Sequence, residues 1–436
     1  MAFIENFWWL LVMIGVMILI HELGHYWAAR FFDVKVEAFS FGFGPRLLGF
    51  RRGETDFRVS LIPFGGYVKM AGEQPGDETA GDPRGFQAKP RWQRLIVIFA
   101  GPAMNIVLAV GLLTGLYMAA FPKLPNADGP AIVAHVVPNS AAAKAGMREG
   151  DKIVAIDNVP DPKWETVLLK EIASANRPLP VVVERDGERQ LMTVTPVLDE
   201  RNGIGTAGWV GQAEIQIDKL VAGMDAERAG LKPGDLFISV NGIPIHSVPK
   251  LHEVIRASAG KPVEILYSRD DQRNKVMVTP KYNKEDDRWM IGVQLGARVI
   301  YTKLGPVEAL QESVRQNVRS ASLIYQLLAG IVERRMSAKS LEGPIRIAQI
   351  SGEAARQGAT EFLGLMAAVS LNLAIFNLLP IPILDGGQIV LLFVEMLMRR
   401  DLSLQVKEAV FKLGFVFLMA VVAFVIYNDI SKILPG

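Results

Sequence analysis

The run His21-Glu22-Leu23-Gly24-His25 sets two imidazoles four residues apart, with a carboxylate beside the first. On a helix that spacing puts both rings on one face, within reach of one cation, and zinc is the natural choice for such donors. The chain has no cysteine, so a thiolate site is excluded and every ligand must come from His, Asp, Glu or water. Three ionisable groups within five residues of an apolar run are costly to bury, which favours a functional role. The duller alternative is three polar side chains hydrogen-bonded at a membrane interface. A catalytic zinc needs three protein ligands and one position for water. His135, His246 and His252 fall in a separate, repeated region, which leaves Asp385 of Leu384-Asp-Gly-Gly387 as the best third ligand. Taken alone, an aspartate in a Gly-rich turn is unremarkable. Glu22, adjacent to a ligand but not one itself, has the position of a general base for water.

Which elements bring residue 385 to residue 21? Half of the 436 residues are apolar and mean hydropathy is +0.24, yet 47 basic side chains stand against 45 acidic ones. That combination indicates a membrane protein with substantial soluble parts. A net charge of +2 without a basic stripe argues against nucleic acid as a partner. Apolar stretches from Phe7 to Ala29, Leu95 to Phe121, Phe362 to Leu384 and Leu413 to Asn428 predict four spans, the first a retained helix rather than a cleaved signal. Lys and Arg concentrate between Arg30 and Arg94 and are absent before the first span, which puts that loop in the cytoplasm. Both termini and the long segment from Pro122 to Thr360 then lie outside. His21 is about 20 Å along the first helix from Phe7, towards its cytoplasmic end. Asp385 closes an inward-running span, so the two half-sites share a depth, although Pro380 and Pro382 interrupt the third helix.

An offset of 84 residues superimposes Ala145-Gly-Met-Arg-Glu-Gly-Asp151 on Ala229-Gly-Leu-Lys-Pro-Gly-Asp235, and Val194-Thr-Pro196 on Val278-Thr-Pro280. Each Gly-Asp precedes an alternating strand, a turn, a helical stretch and another β-rich run, which predicts tandem α+β units. Val307, Leu310, Val314, Val318, Ala321, Tyr325, Leu328 and Val332 recur at helical spacing, an amphipathic helix suited to the outer leaflet or to a protein core. Phe41-Gly-Phe-Gly-Pro45, the alternation Phe57 to Leu61 and Pro63-Phe-Gly-Gly-Tyr-Val68 predict β-hairpins at the membrane surface.

The A-G-x-x-x-G-D motif of each unit resembles PDZ domains of bacterial proteases, which implies a groove for an extended peptide, a spacer without an occupied groove being the lesser alternative. H-E-L-G-H in the first span, Asn377-x-x-Pro380-x-Pro382-x-Leu384-Asp385-Gly386 in the third and paired PDZ-like units between them are similar to the site-two protease family. That resemblance covers nearly the whole chain. It implies a polytopic α-helical membrane protein with four transmembrane helices, a cytoplasmic-side β-hairpin region and two tandem PDZ-like domains. The expected division is 1–30, 31–94, 95–121, 128–198, 203–281, 305–356, 362–385 and 406–430. The implied activity is intramembrane zinc-dependent proteolysis in the bacterial inner membrane, in envelope stress signalling. An anti-sigma factor and remnant signal peptides are the implied substrates. His21, His25 and Asp385 would hold Zn2+, with Glu22 catalytic. Asn377 would contact substrate, as would Gly42, Phe43 and Gly44 of a re-entrant β-loop. Asn372 stands between a substrate contact and a helix-helix bond. A membrane-anchored PDZ adaptor with a structural metal, or a zinc transporter, is the alternative, although the remaining spans lack the ligand sites that transport needs.

Overall fold

The computed structural model describes residues 2–73, 82–199, 204–284, 287–333 and 343–433. In chain order the helices are α1 (Ala2–Phe31), α2 (Arg91–Ala119), α3 (Ala141–Lys144), α4 (Trp164–Ala173), α5 (Asp225–Arg228), α6 (Val248–Ala257), α7 (Pro306–Val332), α8 (Pro344–Gln357), α9 (Ala359–Asn377), α10 (Asp385–Met398) and α11 (Leu404–Ile433). The chain divides into two compact units, one of residues 1–120, 303–325 and 341–436, the other of residues 121–302 and 326–340.

In the first unit α1, α2, α9 and α11 are long and apolar enough to cross a membrane. Glycine brings α1 and α2 together: a Cβ on Gly24 would lie 2.2 Å from the Ala100 carbonyl oxygen. The third apolar stretch differs from the sequence expectation. Helix α9 stops at Asn377, and Asp385 does not end that span but opens α10. Pro380 and Pro382 cannot donate to a helical ladder, and a carboxylate is favoured at a helix N-terminus. The turn between the helices is tight. A Cβ on Gly386 would lie 2.3 Å from the Leu378 and Leu379 oxygens, and one on Gly387 2.2 Å from that of Ile381.

Strands β1 (Val36–Arg52) and β2 (Thr55–Met70) form one long, folded hairpin. Ala38 faces both Asp56 and Lys69, and Phe39 both Phe57 and Val68, so residues 38–41 are flanked on two sides. The kinks fall at Gly42 and Gly44, with φ of +88° and +89°, a region open to glycine and strained for other residues. Helix α7 turns a small and polar face inward. Its inward face is Ala309, Ser313 and Asn317, with Ser313 Oγ donating to the Val110 oxygen of α2 at 2.8 Å. Val307, Leu310, Val314, Val318, Tyr325 and Val332 are exposed while Ala321 and Leu328 are half-buried, so most of the apolar stripe covers no core among the described residues. Asp429 of α11 caps α8, accepting from the backbone N–H of Gly343, Ile345 and Arg346.

The second unit holds two sheets with the same strand order. One runs 209–211, 131–136, 152–156, 179–185, 188–194; the other runs 293–297, 215–220, 236–240, 263–269, 272–278. The expected limits of 128–198 and 203–281 assign Trp209–Gly211 to the second unit, although it closes the first sheet beside Ala131–Val136, and they leave out Val293–Ala297, which closes the second. These strands are short and lie beyond the Val-Thr-Pro that looks like an end. Gly203 lies outside the described residues. The recurrent aspartate has a structural role. Asp151 accepts from Arg185 Nε and Nη2, both at 2.7 Å, while Arg185 also reaches the Gly146 oxygen. Asp235, Arg269 and Gly230 repeat the arrangement 84 residues on, again with two bonds of 2.7 Å.

Candidate metal centre

His21 and His25 lie one helical turn apart on α1, and the turn after α9 delivers Asp385 to the same point. The two Nε2 atoms are 3.2 Å apart; Asp385 Oδ2 is 3.2 Å from that of His21 and Oδ1 3.7 Å from that of His25. These groups sit among apolar helices, His21 being buried and the other two half-buried.

The far side of each ring tests whether this donor set suits a metal. His25 Nδ1 is 2.9 Å from the Val97 carbonyl oxygen, which can only accept. The proton therefore sits on Nδ1, and the Nε2 lone pair faces the cluster. His21 Nδ1 is 3.2 Å from Asn105 Nδ2, while Asn105 Oδ1 is buried with no hydrogen-bond partner among the described residues. Turning that amide over brings Oδ1 onto Nδ1–H, satisfies the orphaned oxygen and frees the second Nε2. Two lone pairs facing one another at this separation repel unless a cation lies between them. Gly101 of α2 keeps the space open, since a Cβ there would be 2.3 Å from His25 Nε2 and 2.8 Å from His21 Nε2. Two imidazole nitrogens, each held from behind, and a carboxylate fit zinc, with three protein ligands and a fourth position for water.

Glu22 projects beside this cluster towards the hairpin. A Cβ on Gly66 would lie 3.1 Å from Glu22 Cγ and 3.0 Å from the Ser40 oxygen, so β2 passes directly over the carboxylate. Gly42 is equally confined, its missing Cβ falling 2.6 Å from the Ile62 oxygen. Phe43 is exposed and stacks on Tyr67 at 6.0 Å between ring centroids. Asn377 is half-buried at the end of α9, its amide without a hydrogen-bond partner among the described residues, and Asn372 is half-buried one and a half turns earlier.

Gly66, Gly101 and Asn105 escaped the sequence reading. Asn105 carries the only signal that might have found it, an amide in a charge-free span, and Ser370 Oγ of α9 adds a 2.9 Å bond to its backbone oxygen. Elsewhere, His135 meets Glu149 at 2.8 Å and Glu253 at 3.7 Å. Lys250 Nζ already neutralises both carboxylates, at 3.0 and 3.2 Å, as befits a structural ion cluster.

A family model described as Peptidase family M50 matches residues 9–421. A protein of Xylella fastidiosa named putative zinc metalloprotease is 32% identical, the match covering 98% of this chain and 99% of the relative. The regulator of sigma E protease of Haemophilus influenzae is 28% identical, with 99% and 100% covered. Among solved structures, the PDZ domain of an SdrC-like protein of Listeria monocytogenes is 20% identical, covers 20% of this chain and 90% of its own, and has a TM-score of 0.18.

Proposed function

Because this chain belongs to peptidase family M50, and is a zinc metalloprotease, we propose that it hydrolyses peptide bonds within the transmembrane segments of other membrane proteins. The observation that carries this reading is the meeting of His21, His25 and Asp385 between apolar helices, where the accessible substrate is itself membrane-embedded. Zinc, when bound by these three residues, would acidify a water and polarise the scissile carbonyl. Glu22 takes a proton from the attacking water onto a carboxylate oxygen and then passes it to the leaving amine.

A helical substrate keeps its carbonyls in backbone bonds, so it must unwind, and the freed groups need partners in a site that excludes water. The hairpin passing over Glu22 supplies an edge for β-augmentation, with Gly42, Phe43 and Gly44 at the kink. The amide of Asn377, without a hydrogen-bond partner among the described residues, would bind an extended strand, and Asn372 is a second candidate. The protein is a multi-pass bacterial inner-membrane protein with termini and PDZ-like units in the periplasm. There the PDZ-like units, through peptide contacts, restrict entry to substrates already shortened outside. The exposed stripe of α7 lies on the outer leaflet. A membrane-bound anti-sigma factor and remnant signal peptides are the proposed substrates, the former in keeping with the sigma-E regulatory names of relatives.

The test is purified full-length protein with a tagged single-span substrate. Glu22→Gln should retain zinc and lose cleavage by at least about 100-fold, the scale of a general base. Wild-type cleavage by that variant would refute the mechanism.

A further inference from the structure

The two repeated units end in edge strands laid down alike. Trp209 faces Val136 in the first sheet, and 84 residues on Val293 faces Leu220 in the second. The loops entering these strands also match: the oxygens of Ala207 and Gly208 accept from the N–H groups of Ala142 and Val137, and those of Ile291 and Gly292 from Ala226 and Val221. An unpaired strand edge beside a helix is where an extended peptide adds to a sheet. What occupies that place differs between the units. In the first, α4 fills it with its own side chains. Glu171, only 7% exposed, accepts from the Ala207 N–H at 2.5 Å on Oε1 and from Trp209 Nε1 at 2.7 Å on Oε2. At the other end of α4 the indole of Trp164 lies on the strand, 2.2 Å from where a Cβ on Gly211 would be.

In the second unit the same positions of the repeat hold Val248, Ile255 and Leu295 in place of Trp164, Glu171 and Gly211. The Ile291 N–H, counterpart of the Ala207 donor, has no backbone acceptor among the described residues. A cavity of about 60 Å³ remains between α6 and strand 293–297, lined by Leu251, His252, Ile255, Val293 and Leu295, and by Arg288 with no carboxylate. Burying a carboxylate is costly unless strong bonds offset its desolvation, so the two donors on Glu171 mark the loop before the edge strand as a carboxylate site. We propose that Glu171 is an internal ligand. Its carboxylate takes the place of a peptide's terminal carboxylate and, with Trp164, shuts the first groove. On the reading of both units as peptide-contact modules, on which this inference rests, the second unit alone of the pair then receives an extended peptide with a free carboxyl terminus. The peptide pairs with strand 293–297, its carboxylate accepts from the Ile291 N–H in a cleft made positive by Arg288, and an apolar side chain meets Leu251 and Ile255.

Hydrogen exchange of the full-length protein at fixed pH reads both grooves at once. The probes are a short peptide of serine and threonine ending in valines with a free carboxyl terminus, and the same peptide amidated. At about ten times its Kd, the free-carboxyl peptide should slow exchange in wild-type residues 291–297 about tenfold and leave 207–211 unchanged. The amidated peptide at the same concentration should protect neither segment. Trp164→Val combined with Glu171→Ile gives α4 the residues that α6 carries, and should add protection at 207–211 by the free-carboxyl peptide. Glu171→Ala, the milder change, should gain part of that protection. A gain of this kind cannot come from loss of structure, and strands 152–156 and 179–185 should exchange as in wild type. Protection of 207–211 in the wild type would overturn the closure by Glu171 and Trp164. So would its absence from both variants while those strands exchange normally, or equal protection by the amidated peptide. No protection at 291–297 in the wild type would instead overturn peptide contact by the pair, and this assignment with it.

Discussion

Asn105 joins the metal cradle to the helix bundle: its side chain backs His21, and its carbonyl receives Ser370. Replacing it with leucine removes the acceptor that fixes the His21 tautomer, and zinc affinity measured by chelator competition should fall about 10- to 100-fold, the usual scale for such supporting contacts. Asn105→Asp keeps an acceptor there and should restore most of the affinity. Gly101→Ala is expected to be more severe, because the added methyl would occupy the space between the two Nε2 atoms. At this scale the sequence was most legible where chemistry is local. His21 and His25 stand out by spacing, whereas Asp385 was expected from its depth at the end of a span and instead opens α10. Gly101 and Asn105 sit on another helix, and one sequence does not say which face of α2 turns towards α1.

At the scale of elements, the hairpin was legible as alternation, but its folding back on itself was not. The registers that set Ala38 against both Asp56 and Lys69 depend on long-range pairing that a turn motif does not encode. Gly42→Val would force a branched side chain into positive φ against the Ile62 oxygen, at a cost of about 1–3 kcal/mol. Substrate cleavage should fall while zinc content is unchanged; intact cleavage would remove the hairpin from the substrate path. The α9–α10 break was visible in Pro380 and Pro382, yet the continuous absence of charge concealed a second helix starting at Asp385. In the repeated units, Arg269→Ala would leave buried Asp235 without its bidentate partner. Because Arg269 is partly exposed, the loss should be about 2 kcal/mol, read as faster hydrogen exchange in strands 236–240 and 263–269.

For the whole molecule, the two units carry different physics. The sequence set an apolar part apart from a repeated part through hydropathy and the 84-residue offset, while the strands that close the two repeated sheets were hidden, being short and set beyond an apparent end. Topology is open to a direct check because the natural chain has no cysteine. A membrane-impermeant maleimide should label Glu188→Cys in spheroplasts but reach Arg52→Cys only after permeabilisation; the opposite pattern would invert the orientation. The second unit should also sense pH through Glu171. Burial, outweighing its bonds from Ala207 N and Trp209 Nε1, pushes this carboxyl above the usual carboxylate range. Its folded form holds the proton more tightly than the unfolded chain does. The associated stability is therefore fully present below the ordinary glutamate pKa and is lost as pH rises through the elevated value. Hydrogen exchange at residues 204–211 should slow on acidification in wild type, and this response should shrink in Glu171→Gln.

The most direct measurement is zinc content per chain of purified wild type, His21→Ala and Asp385→Ala, each assayed in parallel on a tagged single-span substrate. One zinc per wild-type chain, with metal and cleavage lost together in both variants, is the predicted result. An Asp385→Ala protein that keeps its zinc and still cuts would contradict the joining of α1 and α10 in a single metal centre.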